Sequence, residues 1–377
     1  MDEGNWSKAT QGTQERMTDI PSKRSKLGLR EIAAAAHVSI ATVSRVLNGS
    51  SRVDPAIRKS VLAAAADLDI DFSQRNKTKA LAFLLSNRSM QHVFHSGILL
   101  GAEAYCASRN WELIFQSFNY PSQVSGRELH LPNVVQRHDI VRGVILAGTN
   151  SPNLLELLNY KNIPFVVLGN NVISEVEQLG YVGDDVVFSN DIQGGQDVTR
   201  HLISLGHCHI WFVGNIRLPW FARCFEGYRR AMEEAGLPPR LSTVDLEDET
   251  DIGYLGTKSL LAKGEPVTAI FAGNDPTAHG VYKGLRDGGL DIPGDISVVG
   301  CDDTVGSWLY PALTTIREFP ELLGKQMVEL LINRITNPGQ ARQQVTLPTE
   351  LIKRESCRPI SSATETSTAA TFAHTTI

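Results

Sequence analysis

Absences narrow the reading first. No stretch of the 377 residues approaches the run of about 18 apolar residues that a membrane span requires. The N-terminus carries no apolar signal core, so export is not expected. The five cysteines (Cys106, Cys208, Cys224, Cys301, Cys357) are scattered, with no CxxC pair and no regular spacing. They read as free, buried thiols in a reducing compartment. His207 and His209 stand two apart, but no third ligand lies nearby, and helix-end and strand roles are expected in place of a metal site. Asp302 and Asp303 are adjacent carboxylates without a nucleophile or a phosphate loop. Nothing here supports catalysis, sugar hydrolysis included, and no cofactor is expected.

Net charge is −5, which taken alone argues against a nucleic-acid partner. Its distribution reverses that inference. Between Arg16 and Ser60 there are nine Lys/Arg against three acids, which leaves −11 on the remainder of the chain. A basic head on an acidic body favours phosphate contact through the head alone.

That head contains residues 29–48, LREIAAAAHVSIATVSRVLN. Two runs of good helix formers flank His37-Val38-Ser39. The first places Ile32, Ala33 and Ala36 on one face and the second Val43, Val46 and Leu47. Ser39 stands where an N-cap belongs. Two short helices joined by a tight turn are a helix-turn-helix. The row Ile40, Ala41, Thr42, Ser44, Arg45 and Asn48 on the second helix suits a major groove. Asp54-Pro55 opens a third helix, whose Ile57, Val61, Leu62, Ala65 and Leu68 are expected to close a small core.

From residue 79 the texture changes to short apolar strands (81–85, 111–115, 143–146, 165–168, 210–213, 269–272, 297–300) alternating with amphipathic helices (97–108, 153–160, 194–205, 223–235, 253–262, 277–288). Such alternation predicts parallel sheets with helices on both faces, and some 280 residues of it predict two lobes. Ligands then sit beyond the carboxyl ends of strands, in the loops after Leu85, Leu168, Val213, Ala272 and Gly300. The organisation expected is a disordered leader (1–26), an α-helical head (27–69), a short linker (70–78), an α/β two-lobed core (79–360) and a disordered tail (361–377). Met17 is a second candidate start.

VSIATVSRVLNG (residues 38–49) resembles the signature of the LacI/GalR, or lactose-repressor, family of bacterial transcription regulators. Leu205-Gly206-His207, FAGNDPTAHG (271–280), IPGDISVVGCDD (292–303), PALTTI (311–316) and Arg354-Glu355-Ser356 follow further family motifs in order. The resemblance implies a periplasmic-binding-protein-like (type I) core and a homodimer reading a palindromic double-stranded operator. It also implies operator affinity set by a small effector between the lobes, most simply a sugar or sugar derivative. The corresponding reading is a cytoplasmic, nucleoid-associated repressor of carbohydrate utilisation. Its rivals are a DNA-binding regulator without a small-molecule effector and, more weakly, a solute-binding transport protein.

Three departures stand out. His37 occupies a turn position usually held by Gly or Asn. The linker is about six residues shorter than the family's hinge and lacks its proline and A-R-x-L, so no leucine wedge, a weaker operator kink and looser head–core coupling are expected. Three residues before Gly227-Tyr228, where the family has an effector-contacting arginine, stands Cys224, with Arg223 one residue early.

The expected DNA contacts are Arg45 to a guanine edge, Ile40 and Ala41 to thymine methyls, Thr42, Ser44, Asn48 and Arg52 to phosphates, and Ser39 at the helix start. The expected effector contacts are Phe94, His95, Asn170, Trp220, Arg223 and Asp275. For Phe94 and His95 core packing remains open, for Trp220 a loop anchor, and for Asp275 a helix cap, while Asn274 is expected to serve structure.

Overall fold

The computed structural model describes residues 22–47, 53–68, 79–173 and 184–360. Residues 1–21 of the expected leader, Asn48, Arg52, the linker and the tail lie outside them. The chain divides into two compact units between Thr78 and Lys79.

The first unit is three helices: α1 (Ser22–Ala35), α2 (Ile40–Leu47) and α3 (Pro55–Asp67). The first begins inside the segment expected to be leader. His37 takes φ +53°, turning the chain between α1 and α2. The Ser39 hydroxyl then accepts from the amide of Thr42 at 3.1 Å, and Asp54 caps α3 by accepting from Ala56 at 2.7 Å. The core is small: Ile32, Ala33, Ala36, Val43, Val46, Val61, Ala64 and Ala65. Half of these residues are alanines, and α3 contributes only Val61, Ala64 and Ala65. Ile57, Leu62 and Leu68, expected in that core, are exposed.

The second unit has two lobes, each built on a six-stranded sheet. One sheet runs β11-β5-β4-β3-β1-β2, all parallel, with β1 (Ala80–Ser86), β2 (Glu112–Phe118), β3 (Val141–Gly148), β4 (Phe165–Leu168), β5 (Asp185–Ser189) and β11 (Gln344–Leu347). The other runs β12-β10-β9-β8-β6-β7, from β6 (Ile210–Val213), β7 (Leu241–Ser242), β8 (Ala269–Ala272), β9 (Ser297–Asp302), β10 (Thr314–Arg317) and β12 (Glu350–Ile352), the last antiparallel. Central strands are buried along their whole length, as parallel strands covered on both faces must be.

Helices α4 (Val93–Ser108), α5 (Pro152–Tyr160) and α10 (Pro320–Thr336) cover the first sheet. Helices α6 (Asp191–Ser204), α7 (Pro219–Glu234), α8 (Glu249–Ala262) and α9 (Asp275–Asp287) cover the second. Three helix pairs approach through facing glycines. A Cβ on Gly101 would lie 1.9 Å from the Glu321 carbonyl, and one on Gly324 1.9 Å from that of Ile98. Gly195 with Gly227, and Gly253 with Gly280, do the same for α6·α7 and α8·α9. Arg334, near the end of α10, grips the Asp185 carboxylate of β5 with two bonds of 2.6 and 3.0 Å, both side chains buried.

The chain crosses between lobes three times: from β5 into α6, from β10 into α10, and from β11 into β12. At the second crossing Phe319 takes φ +54°. The sheets therefore share three short connections, and the carboxyl ends of their strands face a common cleft.

Candidate functional site

On α2, Ile40, Ala41 and Arg45 are exposed, while Thr42 and Ser44 are half-buried. The hydroxyls of Ser39 and Thr42 lie 2.9 Å apart, so each is committed to the other at the start of the helix. Arg45 is left as the long donor on this face, flanked by the methyl surface of Ile40 and Ala41. Such a face offers one directional contact and an apolar patch.

In the second unit, residues from the carboxyl ends of strands in both sheets enclose a cavity of about 40 Å³. Arg88 and His92 follow β1, Phe94 and His95 open α4, and Asn170 and Asn171 follow β4. Asp191 follows β5, Trp220 opens α7, Glu249 opens α8 and Asn274 precedes α9. Cys301 and Asp302 end β9, and Glu318 follows β10. Of the expected effector contacts, Phe94, His95, Asn170 and Trp220 line this cavity; Arg223 and Asp275 do not.

Arg223 turns away from the opening. Its guanidinium binds both oxygens of Asp191 at 2.7–3.0 Å and stacks on Phe188 at 4.9 Å. Asp275 is fully buried behind the wall. One oxygen accepts from the Thr315 hydroxyl at 2.6 Å and the other lies 3.4 Å from the Val305 amide. The capping role considered for Asp275 falls to Asn274, whose side-chain oxygen accepts from the amide of Thr277 at 3.0 Å. The wall position next to it belongs to Asp302, held by its own turn to Thr304. Cys224 is buried too, with its sulfur 3.4 Å from that of Cys301. Asn170 spends its amide on β5 and Asp191: it donates to the Ser189 carbonyl and to Asp191, and accepts from the Ser189 amide.

Among the described residues, charge crosses the cleft at one place. Glu249, on the second lobe, lies 2.6 Å from Arg88 and 2.9 Å from His92 on the first. Burial alone would raise the Glu249 pKa, but the His92 hydrogen bond and the Arg88 charge outweigh it and hold the carboxyl at about 2. His95 is pushed the other way. Burial, then the neighbouring His92 and Arg88, take it well below 6.5, so a neutral imidazole faces the cavity. Burial raises the deeper acids. Burial and then Asp191 push Glu318 up to about 7, and burial and then Asp275 raise Asp302 well above the usual range.

Several donors and acceptors around the cavity have no protein partner: Arg88 Nε, His92 Nδ1, His95 Nδ1 and Trp220 Nε1. The Arg88 guanidinium packs 4.5 Å from the Trp220 ring centre. Sequence reasoning missed Arg88, His92, Asp191, Glu249, Asp302 and Glu318. The loops after Leu85 and Gly300 had been marked, which would have reached Arg88 and Asp302. Glu249 and Asp191 follow β7 and β5, neither of which is among the expected strands.

All five cysteines are free; Cys106, Cys224 and Cys301 are buried, Cys357 is half-buried and Cys208 is exposed. His207 is a strut, with its ring nitrogens at 3.1 Å from the Thr268 hydroxyl and 3.2 Å from the Arg358 carbonyl. No helix among the described residues is long and apolar enough to cross a membrane.

Residues 28–70 match the family described as bacterial regulatory proteins, lacI family, and residues 199–357 match the periplasmic binding protein-like domain. The chain is 30% identical to the HTH-type transcriptional regulator CelR of Thermobifida fusca, over 89% of this chain and 99% of that one. It is 31% identical to the ribose operon repressor of Escherichia coli K12, over 87% and 99%. Among solved structures, a complex of the regulator CelR with cellobiose superposes with a TM-score of 0.63 at 27% identity, covering 87% of this chain and 99% of that one. The chain belongs to the lacI family of bacterial regulatory proteins and is a DNA-binding transcription regulator, not an enzyme.

Proposed function

We propose that this regulator is a repressor of carbohydrate utilisation whose affinity for its operator is set by a small molecule bound between the two lobes. The observation that carries this is the convergence of strand ends from both sheets on one polar cavity with aromatic walls, the usual place for a ligand in α/β folds. Phe94 and Trp220 supply apolar surface, and His95, Asn274 and Asp302 supply groups for hydroxyls. Asn170, Arg223 and Asp275 act from behind, holding Asp191 and the β9 turn. The similarity to a regulator solved in complex with cellobiose and to a ribose operon repressor supports a sugar or sugar derivative.

The chain acts as a homodimer on a palindromic operator, because one helix specifies few base pairs and a two-fold pair reads half-sites about one helical turn apart. Arg45 reads a guanine, with Ile40 and Ala41 against thymine methyls. Thr42, Ser44, Asn48 and Arg52 position the head on phosphates, with Ser39 at the start of the helix. The work is done in the cytoplasm, at the nucleoid. Ligand binding favours one relative orientation of the lobes and so shifts the population of DNA-competent dimers.

The small cavity, closed by Glu249, favours one competing reading: a regulator that binds DNA without an effector. Calorimetric titration of the full chain with a panel of mono- and disaccharides and their derivatives separates the two. Saturable binding that changes operator affinity supports the effector reading, and no binding by any member supports the competitor.

A further inference from the structure

Resting on the effector reading above, the walls of the cleft also indicate what charge the ligand carries. A cavity of about 40 Å³ holds only a few waters, since one needs roughly 10–15 Å³. A sugar ring cannot enter until the lobes part, and parting breaks the contacts of Glu249 with Arg88 and His92.

Once the lobes close again over a ligand, those two residues are in a costly position. Arg88 is only 16% and His92 17% exposed, on the first lobe, with no second acid supplied from their own side of the cleft among the described residues. Arg88 is a permanent cation, and a partly buried one that loses its carboxylate is strongly disfavoured unless another anion replaces it, while His92 loses a hydrogen-bond partner. Both keep spare nitrogens without partners, Arg88 Nε and His92 Nδ1, and Trp220 Nε1 beside them is also unpartnered. With the lobes together the Arg88 guanidinium also stacks on Trp220 of the second lobe, a contact that parting breaks and closure over a ligand restores. The other acids of the walls offer little repulsion. Asp191 is neutralised by Arg223, burial raises Asp302 well above the usual carboxylate range, and Glu318 is raised to about 7.

We infer that the effector is an anionic carbohydrate derivative, a sugar acid or a sugar phosphate, whose carboxylate or phosphate replaces Glu249 on Arg88 and His92. Its hydroxyls meet Asn274 and Asp302 on the facing lobe. Glu249 is thus an internal competitor: it holds the empty cleft closed and leaves when the ligand's own anion arrives.

Calorimetric titration of the full chain tests this with aldonates, uronates and hexose and pentose phosphates, each paired with its uncharged parent sugar. The expected result is an acidic member binding at least ten-fold tighter than its parent, the carboxylate and phosphate sets showing which anion is preferred. Glu249→Gln, close in shape but uncharged, tightens that ligand several-fold. Arg88→Lys keeps the preference and Arg88→Gln removes it, with unchanged circular dichroism. An uncharged sugar that binds as tightly as its acid, and more weakly in Glu249→Gln, overturns the inference while leaving the effector reading intact. Absence of binding by both classes, with operator affinity unmoved, overturns the effector reading itself.

Discussion

Glu318 shows how a single residue's chemistry is set by chain segments far apart in sequence. It follows β10, yet its carboxyl accepts from the Cys301 thiol at 3.3 Å and faces Asp191 and Arg223 at another crossing. Burial and then Asp191 push it up from 4.5 to about 7. A carboxyl raised in the folded state lends stability that is whole below its unfolded value and is lost as pH rises through about 7. Thermal melts of wild type and Glu318→Gln between about pH 5 and pH 8 should therefore diverge, with the wild type losing ground as pH rises. Parallel curves would mean that Glu318 ionises freely. On the head, Arg45→Ala should reduce discrimination between operator and mismatched DNA by about 1–3 kcal/mol, read by anisotropy, and leave non-specific binding nearly unchanged. Equal losses on both would assign Arg45 to a phosphate.

The same scale explains which site residues could be read in advance. Phe94 and His95 stand where the family resemblance implies an aromatic pair after the first strand, and the sequence leaves Trp220 open between a pocket wall and a loop anchor. Arg88, His92 and Glu249 were missed, because their contacts join positions 161 and 157 residues apart and leave no periodic trace. The resemblance placed Cys224 where an arginine is usual and made Arg223 its substitute. The helix phase instead turns Arg223 inward to Asp191 and Cys224 against Cys301.

At the scale of elements, long apolar strands and amphipathic helices were legible, and boundaries moved by a few residues. Helix α8 begins four residues before the expected start because Asp248 caps it, accepting from the amide of Asp251 at 2.9 Å. Strands β5, β7, β10, β11 and β12 were missed: each is short and mixes polar with apolar residues, so none stands out as an apolar run. Helix α10, also missed, is amphipathic, but it follows a crossing that breaks the strand–helix rhythm. The glycine-faced helix pairs set the layer spacing. In an isolated helix Gly→Ala stabilises by about 1 kcal/mol, but Gly101→Ala puts a methyl into the Glu321 carbonyl. Urea unfolding of the core followed by tryptophan fluorescence should show a loss of about 1–3 kcal/mol. A neutral or stabilising effect would mean that α4 and α10 separate without cost.

At the scale of the molecule, the basic head and the two-lobed core were visible from the charge distribution and the change in texture at residue 79. What no local pattern could show is that three crossings stitch the lobes together, so that Asp191 and Glu318, beside two of them, also line the cavity. A ligand touching both lobes thereby bears on the crossings directly, which is the physical route for coupling cleft to operator. The account stands or falls on that coupling. The decisive measurement is operator affinity of the full chain, on a palindromic site selected from random DNA, with and without a saturating cleft ligand, in wild type and in Asp302→Ala. The account predicts a change of about 5–150-fold in wild type, corresponding to roughly 1–3 kcal/mol, and little or none in the variant. A ligand that saturates the cleft while operator affinity stays constant would contradict it.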